Sequence, residues 1–455
     1  LPQPASARPV TAPEPDFWAE AEAKVTRAAK GAAAPLRALA CLRRAAEVPF
    51  DQAMAFERQS FLDLRGSEQA AALRHVFFAE RAAPRPAALR DVAPLPLSAV
   101  GVVGGGTMGA GIVVALRQAG LHVTLIERDG NAVSRGFANV GAILSGAVKR
   151  GTLTEDRATA MLDGIHGSTD YAALADADLV IEAVFEDIAV KRVVFEQLGR
   201  LCRPDAVLAT NTSYLDPRLI AEGLPHPERF IGLHFFSPAN VMNLLEIVPT
   251  PDTAPEVLAT GFALARLLKK IPVQSGICDG FIGNRILKRY RAAAETLVRQ
   301  GIAIAQIDAA MRDHGFAMGP FQAQDLGGLD IAFLQREGAR AAGEALPETL
   351  GDILVRAGRK GQKTGGGWYD YAPDDRRPLP SDQVTALLAP QVTPGPALTR
   401  EEIAKALVAE MAAEGRAILA EGIAASPAEI DLVEIHGYGF PRWRGGPMFA
   451  TRDPA

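Results

Sequence analysis

The feature that most constrains this chain is a glycine-rich turn set between an apolar run and a helix. Gly104-Gly105-Gly106-Thr107-Met108-Gly109 fits the pattern G-x-G-x-x-G. It follows the β-branched stretch Ala99–Val103 and opens a helical segment at 107–119. In that context each spaced glycine has a task. Gly104 permits a tight turn, Gly106 lets the backbone approach a pyrophosphate, and Gly109 lets helix and strand pack closely. Met108 belongs to the same turn. The N-terminus of the helix offers free N–H groups and partial positive charge to a phosphate. Glu127 directly follows the second strand-like run, His122–Ile126. A carboxylate there suits the adenosine ribose hydroxyls and repels a 2′-phosphate. The bland alternative is a glycine turn with no ligand. With strand, helix and acid all in place, the turn predicts a dinucleotide site and NAD as the cofactor.

Beyond the turn, strand-like runs alternate with helices. Ala99–Val103, His122–Ile126, Leu179–Val184 and Val207–Thr210 are β-rich, with helical segments such as 187–201 between them. Phe230–Phe235, Leu244–Val248 and Ile271–Gln274 continue the series. Alternation of this kind argues for a Rossmann-type, doubly wound parallel sheet. The domain is expected to span 97–278. Before it, residues 1–16 are rich in Pro and Ala and read as a linker. Residues 17–82 carry helical periodicity, and a Pro-studded stretch from Pro84 to Pro96 ends that segment.

After Asp279 helices dominate, and a repeat is legible. Asn284–Gly301 is a helix followed by Ile307-Asp308, Gly315-Phe316 and Gly319-Pro320-Phe321. Lys405–Gly422 is a helix followed by Ile430-Asp431, Gly439-Phe440 and Gly446-Pro447-Met448-Phe449. Two copies of one helical unit explain this order, at 279–375 and 376–455, the second incomplete.

Composition narrows the function classes. The net charge is -5 and there is no Lys/Arg-rich run, so a nucleic-acid partner is not expected. Cys41, Cys202 and Cys278 are few and far apart, which argues against a disulfide framework or a zinc site. No metal is expected. There is no apolar run of the ~20 residues a membrane helix needs. The N-terminus lacks a secretory pattern, and Asp453-Pro454-Ala455 does not spell a peroxisomal address. A cytoplasmic location is therefore expected.

Four residues stand out as a reaction centre. Ser213 lies in Ala209-Thr210-Asn211-Thr212-Ser213, just past a strand. His234 lies in Gly232-Leu233-His234-Phe235-Phe236, and Glu246 is the acid within Leu244-Leu245-Glu246-Ile247-Val248. Asn284 lies near the start of a helix. Singly, each has a structural explanation: a helix cap, a core histidine, an edge-strand charge, a solvated amide. Together they suggest chemistry. A carboxylate in an apolar strand is costly unless paired, and an imidazole one strand away is a natural partner. Such a pair holds one tautomer and stabilises the cationic ring, which prepares a general base for an alcohol. Ser213 and Asn284 can hydrogen-bond the oxygen at the reacting carbon.

Residues 98–372 resemble the L-3-hydroxyacyl-CoA dehydrogenase family. The resemblance is carried by Val102–Gly111, Ile181–Lys191, Asn211–Ser213, His234–Pro238, Glu246, Asp279–Arg285, Met318–Phe321 and Gly361–Tyr369. It implies His234 as catalytic base with Glu246 as its partner, and Ser213 and Asn284 as substrate-binding groups. It implies NAD contacts from Glu127, Glu186, Lys191, Asn211 and Lys363. Many members have Asn where this chain has Ser237; serine there can still meet the nicotinamide side. Residues 50–82 resemble the connecting helix after the enoyl-CoA hydratase domain of multifunctional β-oxidation enzymes. Residues 1–96 are thus expected to be the tail of such a domain, without hydratase activity in this chain. The implied substrate is a 3-hydroxyacyl-CoA, and a thiolase subunit is an implied partner. The second helical copy has Lys405 at the position matching Asn284, so it is expected to be structural. It would replace a dimer partner and leave the chain a monomer. The competing readings are a non-catalytic NAD-binding protein, as in a lens crystallin resembling this family, and a different β-hydroxyacid dehydrogenase.

Overall fold

The computed structural model describes all residues except 1–3, 5, 7–9, 12, 15, 342, 454 and 455. The linker reading of residues 1–16 and the end of the C-terminal tripeptide therefore lie largely outside the described residues. Four helices come first: α1 (Phe17–Ala29), α2 (Ala33–Glu47), α3 (Phe50–Arg65) and α4 (Glu68–Ala82). The α/β region follows as β1 (Ala99–Val103), α5 (Thr107–Gln118), β2 (His122–Ile126), α6 (Gly130–Lys149), α7 (Glu155–Asp163), β3 (Ile165–Ser168), β4 (Leu179–Glu182) and α8 (Ile188–Leu201). It continues with β5 (Val207–Thr210), α9 (Pro217–Ala221), β6 (Phe230–Phe235), β7 (Leu244–Pro249), α10 (Pro255–Leu267) and β8 (Ile271–Gln274).

Only helices are named thereafter: α11 (Gly283–Arg299), α12 (Ile304–His314), α13 (Pro320–Gly327), α14 (Leu329–Ala341), α15 (Leu350–Arg356), α16 (Asp382–Leu388), α17 (Arg400–Ala420), α18 (Pro427–Tyr438) and α19 (Pro447–Ala450). The chain divides into two compact units. One contains the sheet and comprises Val76–Leu287 and Ala413–Tyr438. The other is helical and comprises the segments to His75, Lys288–Ala412 and from Gly439.

The sheet has eight strands in the order β3-β2-β1-β4-β5-β6-β7-β8. Pairs from β3 to β6 are parallel, β6 and β7 are antiparallel, and β7 and β8 are parallel. Alternate side chains leave opposite faces of a strand, and both faces here are covered. Val100 and Val102 join one apolar cluster with Ile112, Val113, Leu116, Val140 and Phe262. Val103 joins the other with Val194, Phe195, Leu198 and Phe230. This explains why the strands read as near-continuous apolar runs. Where α6 and α8 begin, Asp129 and Asp187 accept the N–H groups of Ala132 and Val190. Where α5 begins, Gly106 offers no such cap.

In the helical unit, buried carboxylates tie segments together. Asp308 accepts the Phe321 N–H at 3.0 Å and the Tyr369 hydroxyl at 2.7 Å. Asp325 accepts the Trp368 and Tyr369 N–H groups at 2.8 and 3.0 Å. These distant pairings account for glycine at position 367, since a Cβ there would lie 1.9 Å from Asp325 Oδ1.

Candidate active site

The glycine turn is built as its spacing requires. Gly104 has φ +102°, in the region that favours glycine. A Cβ at Gly109 would lie 1.8 Å from the Gly104 carbonyl oxygen. At Gly106 a Cβ would meet nothing within 4 Å. Packing therefore demands glycine at 104 and 109, whereas at 106 the protein leaves exposed space at an uncapped helix start. That space fits a pyrophosphate group. Glu127 sits beside the turn, its Oε1 accepting the Gly105 N–H at 2.8 Å and its Oε2 the Arg128 N–H at 3.1 Å. Met108 packs half-buried against the core below the turn.

Past β4 lies a polar cluster only partly legible in the sequence. Glu182 is fully buried at the end of β4. It accepts from Lys191 Nζ at 2.7 Å, the Thr210 hydroxyl at 2.7 Å and the Val184 N–H at 2.7 Å. Lys191 is only 1% exposed and also reaches Glu186 Oε2 at 3.3 Å. Its charge is thus spent inside the protein. Glu186 accepts the Thr212 hydroxyl at 2.6 Å, the Ser213 N–H at 2.7 Å and the Tyr214 N–H at 3.2 Å. These bonds and Lys191 hold its carboxyl below the usual carboxylate range against the opposing effect of burial, which is the largest single influence. Sequence reasoning missed Glu182. The signal was an acid closing an apolar strand with a lysine in the following helix.

The third part is the His–Glu pair. Antiparallel register sets His234 directly opposite Glu246. His234 Nδ1 meets Glu246 Oε2 at 2.7 Å, with both side chains buried. Glu246 Oε1 accepts the Gly283 N–H at 3.0 Å, which anchors the start of α11 to the same carboxylate. The imidazole lies against the rings of Phe236 and Phe281, with centroids 4.4 and 5.7 Å away. One ring nitrogen is thus committed to the carboxylate within an aromatic wall. Asn284 Nδ2 donates to the Ser213 carbonyl at 3.4 Å, which ties two of the expected substrate groups together. Asn211 is buried and its Oδ1 accepts the Phe235 N–H at 2.8 Å, bracing the strand that carries His234. Ser237 is exposed just past that strand. Lys363 belongs to the helical unit, where its ammonium pairs with Asp330 Oδ1 at 2.6 Å.

A Rossmann sheet with an open glycine cradle and a buried imidazole–carboxylate pair defines a class: the NAD-dependent dehydrogenases. Comparison with known proteins narrows it. Residues 99–278 match the 3-hydroxyacyl-CoA dehydrogenase NAD binding domain, and residues 280–371 match the C-terminal domain of the same family. The peroxisomal bifunctional enzyme of Cavia porcellus is 38% identical over 97% of this chain and 64% of its own length. The fatty acid oxidation complex subunit alpha of Shewanella loihica is 34% identical over 91% of this chain and 59% of its own length. The crystal structure of 3-hydroxybutyryl-CoA dehydrogenase from Escherichia coli is 31% identical, covers 78% of this chain and 91% of that one, and superposes with a TM-score of 0.67. The chain belongs to the 3-hydroxyacyl-CoA dehydrogenase family.

The chain spans less than two thirds of the length of the first curated relatives it matches. The cytoplasmic expectation is overturned, because relatives from mammals and plants are named as peroxisomal or glyoxysomal enzymes. That expectation rested on the absence of a secretory pattern and of a peroxisomal tripeptide, and such an absence in the given chain does not fix a compartment. Among the described residues no helix is long and apolar enough to cross a membrane.

Proposed function

We propose that this chain interconverts an L-3-hydroxyacyl-CoA and its 3-ketoacyl-CoA as a step of fatty-acid β-oxidation, with His234 as general base. The observation that carries the reading is the buried 2.7 Å contact between His234 Nδ1 and Glu246 Oε2. An ionised carboxylate can only accept, so Nδ1 carries the hydrogen and Nε2 keeps its lone pair. Nε2 takes the proton of the substrate hydroxyl, and Glu246 stabilises the resulting imidazolium. Bound NAD supplies the acceptor for the hydride leaving the same carbon. Ser213 and Asn284 hold the substrate oxygen, and their linkage through the Ser213 carbonyl keeps the two groups in register.

Gly106 and the start of α5 hold the pyrophosphate, with Gly104 and Gly109 shaping the turn, and Glu127 holds the adenosine ribose. Glu186, Asn211 and Ser237 line the nicotinamide end. Lys191 acts through Glu186, which it anchors, while the Lys363 ammonium is paired with Asp330. An equivalent of the relative's oxidation complex, with a thiolase subunit, is the proposed larger assembly. The second helical copy is proposed to stand in for a dimer partner.

The test is an assay of 3-ketoacyl-CoA reduction followed by loss of NADH absorbance. His234→Ala is expected to lower kcat by about 10²–10⁴-fold, the usual worth of a general base, while NADH affinity stays within about twofold. Turnover close to wild type would remove His234 from the mechanism. Equal catalytic efficiency with NADPH would defeat the role given to Glu127.

A further inference from the structure

Within the sheet-containing unit, the end of α18 reaches the reaction centre. Tyr438 is the last residue of that helix. Its hydroxyl donates to Asn284 Oδ1 at 2.9 Å. Its ring stands edge-on to Phe236, with centroids 5.5 Å apart and planes at 83°, and Phe236 in turn lies on His234. The start of α11 is shaped to receive it: a Cβ at Gly283 would fall 2.3 Å from Tyr438 Cε2. Gly283 is also the residue whose N–H binds Glu246. One side chain from the second helical copy thus touches the aromatic wall and the amide beside the reaction centre.

We propose that Tyr438 is a positioning residue that fixes the side-chain amide of Asn284 for the substrate oxygen. This rests on the reading of Asn284 as a substrate-binding group. The Ser213 carbonyl can only accept, so it draws Asn284 Nδ2 toward itself. Oδ1 is then left facing Tyr438, whose hydroxyl donates to it and stops rotation of the amide. The 3.4 Å bond to Ser213 is long, so Nδ2 is readily drawn to a bound substrate oxygen, whereas the 2.9 Å bond from Tyr438 is a full one. The second copy therefore does more than pack: it carries no base of its own but completes the site built by the first.

Tyr438→Phe keeps the ring packing on Phe236 and Gly283 and removes the hydroxyl that donates to Asn284. In the assay with acetoacetyl-CoA and NADH, kcat/KM is expected to fall on the order of tenfold, the factor one such hydrogen bond is worth, with NADH KM unchanged and the thermal midpoint lowered by no more than the loss of one part-buried hydrogen bond causes. The decisive measurement is the double variant. In an Asn284→Ala background, Tyr438→Phe is expected to cause no further loss, because the group it positions is gone. Losses that multiply, or a Tyr438→Phe enzyme equal to wild type, overturn the proposal. If Asn284→Ala alone has no effect, the assignment of Asn284 fails first, and this inference falls with it.

Discussion

Replacing Glu246 by glutamine separates a catalytic from a structural role for this carboxylate. Each of its oxygens accepts one buried donor: Oε2 the His234 Nδ1–H at 2.7 Å, and Oε1 the Gly283 N–H at 3.0 Å. A glutamine has the same shape but only one accepting oxygen. If that oxygen faces His234, the amide NH2 faces the Gly283 N–H, and a buried donor goes unpaired at a cost of about 1–3 kcal/mol. If it faces Gly283, the NH2 faces His234 Nδ1, which must then accept. The ring proton moves to Nε2, and the lone pair needed by the substrate hydroxyl disappears. Even without that change the imidazolium loses a charged partner.

Two unit charges ~4 Å apart at an effective dielectric of 20 interact by about 4 kcal/mol, and a neutral amide retains part of this. The remaining loss is about 2–3 kcal/mol, or roughly 30- to 150-fold in rate. Glu246→Gln is therefore expected to lower kcat by at least that factor, with a thermal shift no larger than one unpaired donor causes. Glu246→Ala strands both donors and is expected to cost about 2–6 kcal/mol of stability as well. Steady-state kinetics with acetoacetyl-CoA and a thermal melt read both effects. A glutamine variant turning over within about threefold of wild type would refute the reasoning.

The glycine turn makes a paired prediction. Gly109→Ala, whose Cβ would collide with the Gly104 carbonyl, is expected to lower the thermal midpoint and abolish nucleotide binding. Gly106→Ala meets no protein atom and is expected to fold normally while raising the NADH dissociation constant; titration by fluorescence distinguishes the two. A further prediction concerns pH. Burial, with the charges of Glu246 and Asp431 adding, pushes the Glu434 carboxyl well above the usual carboxylate range, and its Oε1 has no hydrogen-bond partner among the described residues. The folded chain keeps a proton that the unfolded chain releases. That contribution to stability is complete below the ordinary carboxylate value and is lost as pH rises. Glu434→Gln is expected to melt higher than wild type by a margin that grows as pH rises above the ordinary carboxylate range; a constant margin would contradict it.

Local patterns carried most of the α/β region. The runs at β1, β4, β5, β6 and β7 were legible because strands covered on both faces must be largely apolar, and β2 and β8 because β-branched residues mark their short runs. The edge strand β3, Ile165–Ser168, was not, since His166 and Gly167 interrupt any apolar or β-branched pattern. The turn at Gly104–Gly109 was legible because its constraints are steric and close in sequence. Lys191 shows the limit of such reading. Its ion pair with Glu182, nine residues earlier, became visible only once the fold buried both groups.

The amino-acid order alone thus determined the glycine cradle, the alternation that builds the sheet and the residue types of the reaction centre, because each depends on near neighbours. Tertiary structure decided which of those residues meet. The antiparallel turn-back of β7 on β6 sets position 234 opposite 246, and α18 brings Tyr438 to Asn284 across 154 residues of chain. Hydrogen bonds and desolvation act over a few ångströms in space, so no sequence spacing encodes them until the fold has closed that distance.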